Sequence, residues 1–258
     1  MAATPEEVAR RVAERLGEAG RGEIADAILR AKKTDWAPPE VVAIRELARF
    51  IDRTNLKPEA TGADIDRLCD EAREFGFAAV CVNPSWIERC CERLESSRIK
   101  VCTGVGFPLG AMTTAMTAAE AKDAVGRGAD EIDMVLHVGR LREGDFAYVH
   151  DDIRAVVEAS GGRCVKVILE ACLLKDEEKV AACLLARAAG AAFVKTSTGF
   201  AAAGATVQDV ALMRAAVGGA MGVKAAGGIR DAATARAMIA AGATRIGASA
   251  SAAIVGDG

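Results

Sequence analysis

Six ionisable side chains lie in segments that otherwise read as β-strands. They are Asp52 in FIDRTNL, Asp133 in EIDMVLH, Lys166 and Glu170 in CVKVILEA, Lys195 in FVKTSTG and Lys224 in GVKAAGG. A charge inside a strand is costly unless it is paired, reaches water or is kept partly neutral for chemistry. Side chains two apart share a strand face, so Asp133 goes with Val135 and His137, and Lys166 with Ile168 and Glu170. By the same parity Asp52 goes with Thr54, Lys195 with Ser197 and Lys224 with Ala226. Against a layer of helices these charges would be desolvated by apolar side chains, whereas the axis of a closed barrel can hold several together. All six are therefore placed inward, three carboxylates against three amines. A self-satisfied ion network would account for such a set. A cluster of this size is nevertheless a costly way to hold a fold together, and perturbed ionisable groups gather at reactive sites. The chemistry it suits is amine catalysis: a neutral lysine attacks a carbonyl to form a Schiff base, a neighbouring ammonium keeps it unprotonated, and a carboxylate moves protons through water. Residue types and spacing do not rank Lys195 above Lys224.

The elements that must position these groups repeat along the chain. Eight short segments rich in apolar and β-branched residues are expected as strands: Phe50–Leu56, Ala78–Asn83, Lys100–Phe107, Glu131–His137, Cys164–Ala171, Phe193–Gly199, Gly222–Gly228 and Arg245–Ser249. Amphipathic stretches alternate with them. Thr61, Pro84, a Thr117-x-x-Glu120 capping box, Asp176, Thr206 and Asp231 read as helix starts, and Gly76, Gly128, Gly190 and Gly242 as helix ends. Eight strand and helix units in about 210 residues match an α/β fold of the (β/α)8 TIM-barrel type. A doubly wound sheet would carry its phosphate-binding glycines after the first strand, but here that strand ends in DRTNLKPEAT and the glycines come late, in AGGIR and RIGASAS. Residues 1–49 read as two or three helices, EEVARRVAERLG, EIADAILRAKK and PPEVVAIRELARF, that cap the bottom or flank of the barrel. One domain over residues 1–258 is expected, a helical extension followed by a barrel over 50–255.

Composition narrows the setting. The chain has 258 residues, 51% of them hydrophobic, with Lys+Arg 33 against Asp+Glu 36 and a net charge of −3. That mixed surface lacks the basic excess of a nucleic-acid binder. The N-terminus turns acidic at once in MAATPEEVAR with no apolar run, so no signal peptide is expected. The longest uncharged run, Val101 to Ala119, is broken by Gly104, Gly106, Pro108 and Gly110 and is no membrane span. Eight cysteines without a C-x-x-C pair fit a reducing cytoplasm, most of them as small buried hydrophobes.

The ordered motifs IDRTNLKPEAT, AAVCVNP, KVCTGVGFPLGA, ADEIDMV, KVILEACLL, FVKTSTGF, ATVQDVALMR, GVKAAGGIR and AGATRIGAS resemble the deoxyribose-phosphate aldolase family over about residues 46–255. The resemblance implies a class I lyase of deoxyribonucleotide catabolism. It would reversibly split 2-deoxy-D-ribose 5-phosphate into acetaldehyde and D-glyceraldehyde 3-phosphate, with no metal or other cofactor. Carried over residue by residue, it makes Lys195 the Schiff-base nucleophile, Lys224 the second lysine and Asp133 the proton donor and acceptor. Asp52 and Lys166 become supporting charges, and Cys81 a cysteine near the substrate that a core thiol would explain equally well. The partners implied are a small phosphorylated sugar and aldehydes, with a homodimer as the compatible assembly. Another lysine aldolase or a phosphosugar isomerase could share such a barrel, and a catalytically silent barrel is the non-enzyme alternative.

Phosphate recognition has its own logic. Gly199, Gly227 and Gly228 let the backbone approach an anion at the ends of late strands, where barrels of this type hold phosphate. Ser249 adds a hydroxyl and Arg230 a charge, with Thr198 and Gly247 completing the expected substrate-binding set. The chain departs from the family pattern at four places. Phe200 stands where part of the family has a lysine, Ser249-Ala250 where two serines are common, and Arg53 where a histidine is common. Some members also use a tyrosine at a flexible C-terminus as a proton relay, whereas this chain ends IVGDG and has only Tyr148. Its protons would then move by Asp133, Lys224 and water.

Overall fold

The computed structural model describes residues 3–31, 34–40 and 43–256. Eight parallel strands close in sequence order: β1 (Ile51–Asn55), β2 (Ala79–Val82), β3 (Lys100–Val105), β4 (Glu131–Val135), β5 (Cys164–Ile168), β6 (Phe193–Lys195), β7 (Gly222–Ala226) and β8 (Arg245–Ala248), with β8 paired back to β1. The expected (β/α)8 barrel is therefore observed.

Strand parity sorts the two faces. Val80, Val82, Ile132, Met134, Val165, Val167, Val194, Val223 and Ile246 all belong to the main apolar core, shared with the surrounding helices. The residues between them, including Cys81, Asp133, Lys166, Lys195 and Lys224, are not part of that core although they are equally buried. Most β-branched residues of the strands thus face outward, where helices take them out of water, with Val135 and Ile168 on the inner face.

Most strands stop short of the expected ends, by up to four residues at their C-terminal side, because the chain leaves extended geometry there. Glu170 has φ 52°, Gly199 φ 89°, Gly227 φ 87° and Gly228 φ 80°. Glycine tolerates this left-handed region freely, whereas Glu170 does not. These turns put the loops of the C-terminal end, rather than further strand, directly above the inward charges.

The helices are α3 (Gly62–Phe75), α4 (Ile87–Arg93), α5 (Thr114–Gly126), α6 (Val138–Glu143), α7 (Phe146–Ala159), α8 (Asp176–Ala188), α9 (Val207–Val217), α10 (Ala232–Ala241) and α11 (Ser251–Gly256), following α1 (Pro5–Glu18) and α2 (Gly22–Arg30). No helix among the described residues is long and apolar enough to cross a membrane. Thr61, Thr206 and Asp231 cap α3, α9 and α10 as expected. The capping box expected at Thr117 and Glu120 does not form. Helix α5 starts a turn earlier with Thr113 at its N-cap, Thr117 Oγ1 donates back to the Thr113 carbonyl at 3.2 Å, and Glu120 accepts from the Gly106 amide at 2.7 Å. A carboxylate already engaged by the β3 loop is unavailable to a helix start.

The extension flanks the barrel. Thr4 and Glu7 exchange a capping box that starts α1, and Val8, Val12, Ala13 and Leu16 fall on one helical face and are buried. This face joins the core that the barrel helices share. The third expected helix is only a 3-10 turn over Ile44–Phe50. The residues before it include Pro38 and Pro39 in no regular element, as adjacent prolines deny an α-helix its amide donors. Lys32, Lys33, Val41 and Val42, and Asp257 and Gly258 of the C-terminal segment, lie outside the described residues. Thr34 accepts from the Gly219 amide at 2.9 Å and Arg214 sits 4.9 Å over the Trp36 ring, so this stretch runs past the N-terminal end of β7.

Leu16 is fully buried although it precedes the barrel. Leu16→Ala should lower unfolding stability by about 2–5 kcal/mol, measured by urea denaturation followed at Trp36 and Trp86. A cost near zero would mean that the extension merely lies on the surface.

Candidate active site

Inside the barrel one carboxylate takes three lysines. Asp133 Oδ1 accepts from Lys166 Nζ at 2.7 Å, and Oδ2 accepts from Lys195 Nζ and Lys224 Nζ, both at 2.8 Å. Register explains the convergence. Asp133 pairs with Lys166 across β4 and β5, and Lys195 with Lys224 across β6 and β7, so two ammonium groups start side by side and reach across the axis to the same oxygen. Gly247 makes room for this: a Cβ there would stand 3.0 Å from Ala226 Cβ and 3.2 Å from Lys224 Cε.

A second tier lies toward the N-terminal end of the strands. Lys224 also meets Asp52 Oδ2 at 2.5 Å, and Lys166 meets Glu131 Oε2 at 2.7 Å. Arg245 closes the tier, donating to Asp52 Oδ1 at 2.6 Å and to both Glu131 oxygens at 3.2 Å. The sequence reading missed Glu131 and Arg245. Parity carried the signal, since Glu131 is two residues before Asp133 and Arg245 two before Gly247, although each stands at the first position of its strand. The corrected set is three carboxylates against four cations, for Glu170 is not among them. Its backbone turns left-handed beyond β5, and its carboxylate instead accepts from the Thr198 amide at 3.3 Å and from the Thr198 hydroxyl. His137 likewise leaves the strand and becomes the N-cap of α6.

These contacts set the charge states. Burial alone would raise Asp133, but Lys166, Lys195 and Lys224 outweigh it and hold the carboxyl well below the ordinary carboxylate range. Asp52 is opposed by burial in the same way and is brought down to about 2, first by Lys224 and then by Arg245. Burial pulls Lys166 and Lys224 down, and their carboxylate neighbours more than reverse it, so both ammonium groups are held above the usual lysine range.

Above this network opens a cavity of about 690 Å³. Of the three barrel lysines only Lys195 lines it; Lys166, Lys224, Asp52 and Asp133 lie beneath. Thr198, Gly199, Gly227, Gly228, Arg230, Gly247 and Ser249 line it as well, so the expected phosphate-side residues share one wall region with Lys195. Backbone contact holds these loops together: Ala205 donates to Ala226 and Gly227 carbonyls at 3.1 Å, and a Cβ on Gly204 would collide with the Gly227 carbonyl. Arg53 points away from Asp52, donates through Nε to Glu71 at 2.7 Å and through Nη1 to the Ser249 carbonyl, and also lines the cavity, a position the sequence reading did not assign. Phe200 is exposed and meets Phe107 edge to face at 5.4 Å.

Cys81 is buried below the cavity, in a small apolar group with Leu56 and Cys102 against which Phe107 packs. Cys81, Cys102 and Asp133 bring three potential ligand atoms within 4.8 Å of one another. Lys166 Nζ, however, lies 3.3 Å from Cys102 Sγ and 2.7 Å from Asp133 Oδ1, so an ammonium already stands beside two of those atoms.

The sequence model of the DeoC/LacD family aldolases matches residues 47–256. The chain belongs to this family. It is 60% identical over 210 residues, 81% of this chain and 96% of the relative, to the deoxyribose-phosphate aldolase of Streptococcus pneumoniae strain CGSP14. A crystal structure from Coccidioides immitis, provisionally named a deoxyribose-phosphate aldolase, superposes with a TM-score of 0.84 at 39% identity and covers 95% of this chain and 97% of its own. The deoxyribose phosphate aldolase of Aeropyrum pernix, described as a tetramer, superposes with a TM-score of 0.78 at 33% identity over 83% of this chain and 91% of its own.

The buried pairing of this DeoC/LacD aldolase makes a stability prediction. Asp52 has a folded value below its ordinary 3.8, so its contribution is complete above about pH 4 and is lost as pH falls toward 2. Asp52→Asn, which leaves Lys224 and Arg245 short of a partner, should cost about 3–5 kcal/mol at pH 7. The gap between the two proteins should shrink between pH 4 and pH 2 in urea titrations. A gap that stayed constant over that range would show that Asp52 is not held ionised by these cations.

Proposed function

We propose that Lys195 is the Schiff-base nucleophile of a deoxyribose-phosphate aldolase reaction, with Asp133 and Lys224 as its proton-handling partners. The chain is a class I aldolase that reversibly cleaves 2-deoxy-D-ribose 5-phosphate to acetaldehyde and D-glyceraldehyde 3-phosphate, a lyase of deoxyribonucleotide catabolism. One observation carries the residue assignment: of three lysines bonded to Asp133, Lys195 alone lines the cavity.

Charge balance supports it. Three carboxylates, Asp52, Glu131 and Asp133, face four cations, Lys166, Lys195, Lys224 and Arg245, so the cluster carries one positive charge in excess when all are ionised. Releasing one proton brings it to neutrality. Lys166, Lys224 and Arg245 each contact two or more carboxylates, whereas Lys195 contacts Asp133 alone. Lys195 is therefore the least paired of the four cations, and it is the amine open to substrate.

The reaction follows from that arrangement. Lys195 Nζ adds to the aldehyde carbon C1 of the open-chain sugar, and loss of water leaves a protonated Schiff base. Removal of the C3 hydroxyl proton lets the C2–C3 bond break, with its electrons drawn into the iminium to give an enamine and free D-glyceraldehyde 3-phosphate. Protonation at C2 and addition of water then release acetaldehyde and restore the amine. Asp133, already in contact with all three amines, passes protons between them and water, and its neighbouring ammonium groups keep it ionised between steps. Arg230, Ser249 and the amides around Gly227, Gly228 and Gly247 take the phosphate, while Gly199 keeps the facing loop close.

For assembly we propose a homodimer, supported by the exposed apolar side chains Leu109, Met112 and Met116 beside β3. Free thiols throughout support a reducing compartment such as the cytoplasm.

Acetaldehyde with borohydride should leave a reduced ethyl adduct on the peptide carrying FVKTSTGF, read by mass spectrometry; an adduct on Lys224 instead would overturn the assignment. Asp133→Asn, similar in size but without the base, should slow cleavage of deoxyribose 5-phosphate on the order of 10²-fold or more. A fully active Asp133→Asn protein would remove Asp133 from proton transfer.

A further inference from the structure

Glu170 is buried, strained and outside the lysine network. Its φ of 52° is unusual for a residue with a side chain, and the residue is 4% exposed with no cation in contact with its carboxylate among the described residues. The backbone on both sides is fixed: the Leu169 amide donates to the Lys195 carbonyl at 2.9 Å and the Ala171 amide to the Thr196 carbonyl at 2.8 Å. Glu170 is thereby squeezed out between two bonds to β6, and strain of this kind gathers at functional sites. Its donors among the described residues all come from Thr198, whose amide reaches both carboxylate oxygens at 3.3 Å and whose hydroxyl bonds Oε2.

A threonine hydroxyl has one proton to give and two lone pairs to receive. At Thr198 the proton goes to Glu170 Oε2, and one lone pair takes the Phe200 amide at 3.1 Å. One lone pair remains, on a residue that lines the cavity three positions after Lys195. Turning this hydroxyl round to donate elsewhere would leave Glu170 Oε2 with the Thr198 amide alone.

We propose that Glu170 is a positioning residue that makes Thr198 an acceptor only, so that the site selects aldehydes carrying a hydroxyl donor next to the carbonyl of the incoming half. This rests on the reading of Lys195 as the nucleophile and deepens it by naming a specificity determinant. A substrate lacking that hydroxyl would leave the Thr198 lone pair buried and unpaired, which a site built for a hydroxyl discriminates against. Glu170 thus acts through Thr198 on the acceptor half of the substrate, with no part in the attack on acetaldehyde.

The test uses the intact protein in the synthetic direction, with acetaldehyde as donor and either D-glyceraldehyde or 3-hydroxypropanal, which lacks the adjacent hydroxyl, as acceptor. The wild-type protein should favour D-glyceraldehyde in kcat/KM by on the order of 10-fold. Glu170→Ala and Thr198→Val should each bring the ratio to within about threefold of one, the loss falling on D-glyceraldehyde. Glu170→Gln should retain most of the preference, because its amide carbonyl can still accept the Thr198 proton. Borohydride trapping of acetaldehyde at Lys195 should be unchanged in the two Glu170 variants. An unchanged acceptor ratio in Glu170→Ala or Thr198→Val would overturn the proposal. Trapping lost in the Glu170 variants but present in the wild type would overturn it too, by making Glu170 a support of the nucleophile. Absence of trapping in the wild-type protein would instead count against Lys195 itself.

Discussion

The Asp133 carboxylate, shared among three lysines at the centre of the barrel, is the interaction on which the rest of this structure depends. Three ammonium groups within hydrogen-bond distance would repel one another strongly in a medium that excludes water. Asp133 answers each of them at 2.7–2.8 Å, and Asp52 and Glu131 take up the remaining contacts of Lys224 and Lys166. Because removing one member of a buried pair is far worse than never having built it, the members depend on each other. With four cations against three carboxylates the cluster carries one positive charge in excess, so one amine can lose its proton without leaving the cluster net negative.

The barrel separates two tasks along its axis. Toward the N-terminal ends, Arg245 and Glu131 hold Asp52 and Lys166 in bidentate and paired contacts that leave them no freedom. Toward the C-terminal ends, left-handed turns at Gly199, Gly227 and Gly228 end the strands early and open the cavity over Lys195. The lower tier thus fixes charge and the upper one opens to the cavity, and Lys195 sits at their boundary. Phe200 and Arg53 line the cavity wall without touching the network.

Much of this was legible in sequence because strand parity has a period of two and the apolar outer face is unmistakable. Val165 and Val167 flank Lys166, and Val194 and Val223 precede Lys195 and Lys224, which tells which way the lysines must point. Three features were less readable. Glu131 and Arg245 begin their strands, where nothing upstream marks the face. Glu170 obeys the parity of β5 only until Ile168, and a left-handed turn at a glutamate leaves no compositional trace. The Thr117 and Glu120 spacing mimicked a helix start, although Glu120 serves the Gly106 amide in a neighbouring loop, a tertiary demand that local pattern cannot express. The segment PPEVVAIRELARF, expected as a third helix, forms a 3-10 turn at Ile44–Phe50, between adjacent prolines upstream and immediate entry into β1.

The central claim is that Lys224 keeps a proton and, by doing so, lets Lys195 work as a free amine. Lys224→Leu removes that charge while filling a similar space, and leaves Asp133 shared between Lys195 and Lys166 alone. The direct measurement is the pH dependence of acetaldehyde trapping by borohydride at Lys195 in the wild-type protein and in Lys224→Leu. The account predicts that the onset of trapping moves to higher pH in Lys224→Leu; an unshifted profile would contradict it and leave the burial of Lys195 as the source of its reactivity.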